Sequence, residues 1–195
     1  MAATKKERRN KMLVVVIGTF ILVTLFFYFM KKDTEKAKEE AIKVEIENLL
    51  GSDIEMDYPS TPKEVIVLFN KLITCYYDEK LSDDTIKKVM AQERVLFDQE
   101  LLNKNQFDDQ FKDLKEEITD YRKAKRTIVG SSVGKSSSVE YYKKEGKEYA
   151  SIIATYTLKD SEVTKTYQKY ILRKDENGKW RILGWEITSP TDIGK

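Results

Sequence analysis

Met12 to Met30 is a run of uncharged, mostly apolar residues, MLVVVIGTFILVTLFFYFM, bounded by charge on both sides. A helix rises 1.5 Å per residue, so about 20 such residues cross a hydrocarbon core of roughly 30 Å. The run predicts one membrane-crossing helix, which satisfies its own backbone as lipid requires. Lys5, Lys6, Arg8, Arg9 and Lys11 stand before it, and Lys31-Lys32 after it. The positive-inside bias then makes residues 1–11 a cytoplasmic basic tag and sends everything beyond residue 30 to the extracytoplasmic side. A cleaved signal peptide has a shorter apolar core, about 7–15 residues, closed by a small-x-small site. Phe26-Phe27-Tyr28-Phe29-Met30 has none, so residues 12–30 read as an uncleaved, single-pass anchor in a cell membrane.

Beyond the anchor the apolar period is first 3.6 and then 2. Ile42, Ile46 and Leu49 recur at helical spacing within a charged stretch that stops at Gly51; with the aperiodic Ser52–Ser60, residues 31–59 read as a helical stalk and linker. Thr61-Pro62-Lys63-Glu64 spells a capping box with proline at the first helical position, and Val65, Leu68, Phe69, Leu72, Ile73 and Tyr76 follow on one face. Ser82-Asp83-Asp84 restarts helix with an N-cap and acids that suit the dipole. Ile86, Val89 and Met90, then Leu101 and Leu102, continue it in pieces, and Phe107, Phe111, Leu114, Ile118 and Tyr121 stripe a further helix. After Lys125 alternation predicts strands over Thr127–Val133, Val139–Lys143, Tyr149–Lys159, Val163–Lys174 and Trp180–Thr188. Asn177-Gly178 marks the last hairpin, and residues 189–195 form a tail. Helices followed by a meander predict an α+β domain over 60–188, with helices on one face of a curved antiparallel sheet.

Charge and composition narrow the function. From residue 31 on there are 30 Lys+Arg (35 less the five before the anchor) against 32 Asp+Glu (33 less Glu7). Nucleic-acid binding needs a concentrated basic face, and interspersed signs supply none. The single cysteine, Cys75, lies in an apolar-periodic stretch and reads as a small buried hydrophobe. An exported domain with one cysteine fits a bacterial envelope.

The capped helix from Thr61, the hairpins across Tyr149–Lys174 and the segment Asp175-Glu176-Asn177-Gly178-Lys179-Trp180-Arg181-Ile182 together resemble the NTF2-like (cystatin-like, cone-shaped α+β) superfamily over residues 60–188. A single anchor carrying one such domain is similar in layout to VirB8-like conjugation components and to uncharacterised envelope proteins of Gram-positive bacteria. The superfamily commonly has a strand between its second and third helices, and none is predicted between Leu102 and Phe107.

Histidine is absent, which removes the commonest general base and most zinc sites. The resemblance implies that an acid inside the cone would do any proton transfer, with Asp98, Asp120 and Tyr121 as the set; their spacing alone reads as solvated helix faces and one core aromatic. Asp83-Asp84 and Asp108-Asp109 lack calcium-loop spacing and read as helix starts. Gly130-Ser131-Ser132-Val133-Gly134-Lys135-Ser136 has three residues between its glycines where a phosphate loop needs four. No catalytic residue, cofactor or metal is therefore expected. Aromatics crowd the strands, and Tyr141, Tyr142, Tyr170 and Trp180 are the candidates for a partner-binding face. Trp180 and Trp185 are five apart, which predicts opposite faces: Trp185 buried, Trp180 outside.

These signals point to a non-catalytic extracytoplasmic interaction or scaffold domain of a bacterial envelope assembly, with a protein partner or self-association. The alternative is a small-ligand or enzymatic cone, whose mark is an interior cavity of a few hundred Å³ with a convergent acid and Tyr.

Overall fold

The computed structural model describes residues 28, 30–34, 36–37, 40–77 and 81–189, which fall into two units, Met1–Glu45 and Ile46–Lys195. In the first unit the described residues are helical and exposed, apart from a half-buried Ile42. The predicted anchor lies outside the described residues except for Tyr28 and Met30. Among the described residues no helix is long and apolar enough to cross a membrane.

The second unit begins with the helical residues 46–51 (α1) and continues through α2 (Pro62–Cys75), α3 (Asp83–Val95), α4 (Gln99–Lys104) and α5 (Phe107–Lys123). Five strands follow: β1 (Thr127–Val133), β2 (Glu140–Lys144), β3 (Lys147–Lys159), β4 (Val163–Lys174) and β5 (Trp180–Thr188). The sheet is antiparallel in the order β1-β3-β4-β5. β2 pairs with the start of β3, on the same side as β1. Helices pack on one face of this curved sheet.

Sequence-local chemistry builds these elements. The capping box is complete: Glu64 N donates to Thr61 Oγ1 at 3.2 Å and Thr61 N to Glu64 Oε2 at 3.0 Å. Ser82 caps α3, and Asp98 caps α4 by accepting from Glu100 N at 2.9 Å. The α2 face of Val65, Ile66, Phe69 and Leu72 meets Ala150, Ile152, Ala154 and Tyr156 of β3, all buried. On the last hairpin Asp175 Oδ1 accepts from Asn177 N and Lys179 N, both at 2.9 Å, and Gly178 takes φ +78°, which side-chain-bearing residues rarely adopt.

Three features depart from the expectations. Residues 52–60 are not a linker: Ile54 is buried, Tyr58 Oη donates to Trp180 O at 2.7 Å, and Glu55 pairs with Arg181 and Lys179. These side chains pin the segment to β5, and with buried Ile46 and Leu49 they extend the domain to residue 46. In place of an extra strand there is one parallel bridge, Phe97 with Ile182.

The third departure concerns the tryptophans. Trp180 is buried at 7% exposure, and Trp185 is 44% exposed, the reverse of the expected order. Both lie on the helix-facing side, because Leu172 pairs with Ile182 while Ile171 pairs with Gly184, leaving Leu183 as an extra residue in a β-bulge. The bulge resets the alternation, so Trp185 stands opposite the core residue Tyr170.

Candidate functional site

A cleft of about 310 Å³ opens between the helices and the helix-facing side of the sheet. Its floor is β3 and β4 (Tyr156, Gln168, Tyr170), one wall is α2 and α3 (Phe69, Tyr76, Glu93), and α5 lies across the other side (Leu114, Glu117, Tyr121). Of the α5 stripe only Ile118 is buried, and Leu114 and Tyr121 look into the cleft. Trp185 completes an aromatic rim, its ring centroid 5.8 Å from Phe69, 5.9 Å from Tyr170 and 6.3 Å from Phe97.

Inside, each phenol meets a polar group. Tyr76 Oη donates to Glu93 Oε2 in a buried bond, and Tyr77 Oη donates to Glu117 Oε1 at 2.6 Å. Burial pushes the Glu93 carboxyl up to about 7; the Tyr76 hydrogen bond and the nearby Arg94 charge oppose this without cancelling it. Burial, reinforced by the Glu93 and Glu117 charges, raises the Tyr76 and Tyr77 phenols, so both remain donors at neutral pH. The rings of Tyr77 and Tyr121 lie 4.4 Å apart beside Glu117.

A second chain runs Asn70–Tyr156–Tyr170–Gln168, with contacts of 2.5, 2.6 and 2.6 Å. Three hydrogen bonds need three protons, and two phenols supply two. The third must come from an amide, so either Asn70 or Gln168 turns its NH2 into the chain. Asn70 Nδ2, as placed, has no hydrogen-bond partner although the residue is buried. Turning the Asn70 amide exchanges oxygen and nitrogen without changing its shape and gives the buried NH2 a partner in Tyr156, so Asn70 supplies the third proton.

The residues singled out from sequence lie mostly elsewhere. Tyr170 and Trp180 are buried and present no surface to a partner, because the strand pleat turns both toward the helices. Tyr141 and Tyr142 are exposed, at 60% and 43%, on opposite faces of β2; Tyr141 lies 5.7 Å from the Trp180 ring, and Tyr142 stacks on Tyr149 at 5.4 Å. Asp98 is buried away from the cleft in an ion pair with Arg173, and Asp120 is an exposed partner of Lys123. Only Tyr121 of that set reaches the cleft. Cys75 is buried, its thiol donating to Lys71 O at 3.2 Å. A wider, shallow depression near the Asp175–Gly178 hairpin is lined by charges already engaged with each other, such as Arg173 with Asp98 and Arg181 with Asp175.

The cleft's principal acid was missed, yet it left a signal. Ile86, Val89, Met90 and Glu93 fall at i, i+3, i+4 and i+7, so Glu93 sits on the buried stripe of α3 where an apolar residue belongs. Asn70 interrupts the α2 face in the same way, four residues after Ile66.

Fold and site together define an α+β domain with one open, polar-aromatic cleft between its helices and its sheet. Residues 1–185 match the Domain of unknown function (DUF6715) family, and the chain belongs to it. No curated protein matches the chain.

Proposed function

We propose that this protein is a membrane-tethered domain that binds a small ligand in the cleft between its helices and sheet, on the outer side of a cell membrane. The observation that carries the reading is the cleft itself. Its volume lies at the lower end of the range for ligand sites, about 300–1,000 Å³, and its lining is aromatic with a few convergent polar groups. Tethering rests on residues 12–30, and the cone-like NTF2 resemblance agrees with an interior site. Binding without turnover is the simpler role. Glu93 already accepts from Tyr76, and the sequence has no histidine to share proton transfer.

The scaffold reading stands second, on Tyr141 and Tyr142, which are exposed on the short strand β2. The two separate in one experiment. The full chain in detergent micelles is screened against a small-molecule library by thermal shift, beside a Leu114→Trp variant that fills the cleft. Compounds that raise the melting temperature of the native chain and not of the variant support the ligand reading. A library without such a compound, with partner capture from membranes that depends on Tyr141 and Tyr142, refutes it.

A further inference from the structure

We propose that the cleft selects a small organic cation, an amine or quaternary ammonium group seated between aromatic faces and the carboxylates of Glu93 and Glu117. This rests on the ligand-binding reading above and adds the charge of the occupant.

Three observations carry it. First, the walls are aromatic: Phe69, Tyr76, Tyr77, Tyr121, Tyr170 and Trp185 line the cleft, and an aromatic face is the negative pole of its quadrupole. Second, every charged group among the described lining residues is an acid: Glu93 inside, Asp113 and Glu117 at the mouth. The nearest guanidinium groups are already partnered, Arg126 also lying over the Tyr121 ring at 5.6 Å from its centroid. Arg94 donates to Asn105 O at 2.8 Å and to Gln110 Oε1, and Arg126 pairs with Asp160 at 3.0 Å. Third, the acids do not converge as the ligands of a metal ion would. Negative potential spread over a wide apolar surface suits a cation that carries alkyl groups. An anionic ligand would meet these carboxylates with no lining counter-charge to offset them.

The buried acid makes the preference depend on pH. Glu93 is faced by Tyr76 and Tyr77 just beyond α2, Glu117 from α5, Tyr170 from the sheet and Arg94 on its own helix, and Asp113 and Tyr156 line the same cleft. With its carboxyl pushed up to about 7, an entering cation expels a proton from it. Cation affinity should therefore rise with pH through neutrality.

The test uses the full chain in maltoside micelles, whose headgroup is uncharged. Choline and cadaverine are titrated against their neutral isosteres, 3,3-dimethylbutan-1-ol and 1,5-pentanediol, and against butyrate. Calorimetry and the quenching of Trp185 fluorescence report binding. The expected result is a cation at least about tenfold tighter than its isostere, tightening between pH 6 and pH 8. Glu93→Gln should abolish the pH dependence. Glu117→Gln, at an exposed rim position, should weaken the cation about tenfold at an unchanged melting temperature, and it serves if the Glu93 variant does not fold. Isosteres or butyrate that bind as tightly as the cations overturn the charge preference and leave the ligand cleft standing. No binding by any of these probes overturns the proposal, and if a broad library also fails, the ligand reading falls with it.

Discussion

Trp180 and Glu93 show how much a single side chain's surroundings decide. Trp180 is enclosed by Tyr141, by Lys174 with Nζ 5.4 Å from the ring centroid, and by its backbone bond to Tyr58. Trp180→Ala should cost about 3–5 kcal/mol, as large-to-small core changes do. Trp185, half open at the rim, should cost roughly 1 kcal/mol on the same change. Thermal melts of the two variants check the order, and a larger loss at Trp185 contradicts it. Glu93 predicts a pH signature. Its native pKa is raised from the ordinary carboxylate value of 4.5 to about 7, so between those limits the folded state holds the extra proton. Its contribution to stability is fully present below about 4.5 and is lost as pH rises through 7. Glu93→Gln, which carries no titrating proton, should therefore gain on the native chain by a few kcal/mol between acid and alkaline pH, since each pH unit separating the folded and unfolded pKa is worth about 1.4 kcal/mol. Denaturant melts of both proteins across that range measure the difference; parallel curves would show that Glu93 does not titrate there.

Among the elements, the α3–α4 junction and the β5 bulge carry the most consequence. Asp98 caps α4, and its carboxylate pairs with Arg173 of β4, with side-chain exposures of 6% and 17%. Asp98→Ala removes a cap and leaves Arg173 with the more distant Glu100 carboxylate at 3.4 Å, so a loss of about 2 kcal/mol is expected in urea unfolding. Asp98→Asn keeps a capping oxygen and should lose less. The bulge has a different role. Were Leu183 paired in regular register opposite Ile171, Trp185 and Ile187 would turn away from the helices. Deleting Leu183 removes the bulge and leaves Trp185 opposite Tyr170, so quenching of Trp185 fluorescence by a cleft ligand should survive, while far-ultraviolet circular dichroism still reports the sheet. Lost quenching would mean that the shortened strand re-pairs with Trp185 on the outer face.

For the molecule as a whole, the proposed anchor over residues 12–30 makes predictions of its own. The full chain should remain with membranes after alkaline carbonate extraction, and a chain lacking residues 12–30 should be released. Protease added to intact, wall-free cells should digest the domain after residue 31 if the basic tag lies inside. A domain shielded from the protease in intact cells and cleaved after lysis would reverse the orientation.

Local order was legible because its causes are local. The capping box at Thr61 and the N-cap at Ser82 involve neighbours in sequence, and strand alternation records burial one residue at a time. Val163–Lys174 and Trp180–Thr188 were readable for that reason, as was the α+β order of elements. The cleft was not legible, because its groups come from distant stretches: Tyr76 meets Glu93, Tyr77 meets Glu117, and Asn70 meets Tyr156. The faces of the two tryptophans depended on one unpaired residue, and no periodicity announces a bulge that the partner strand helps to set. Glu93 on an apolar stripe was the visible trace of the site. Tertiary packing turned that trace into a buried acid, because only the folded chain sets helix α5 and the sheet around it and excludes water.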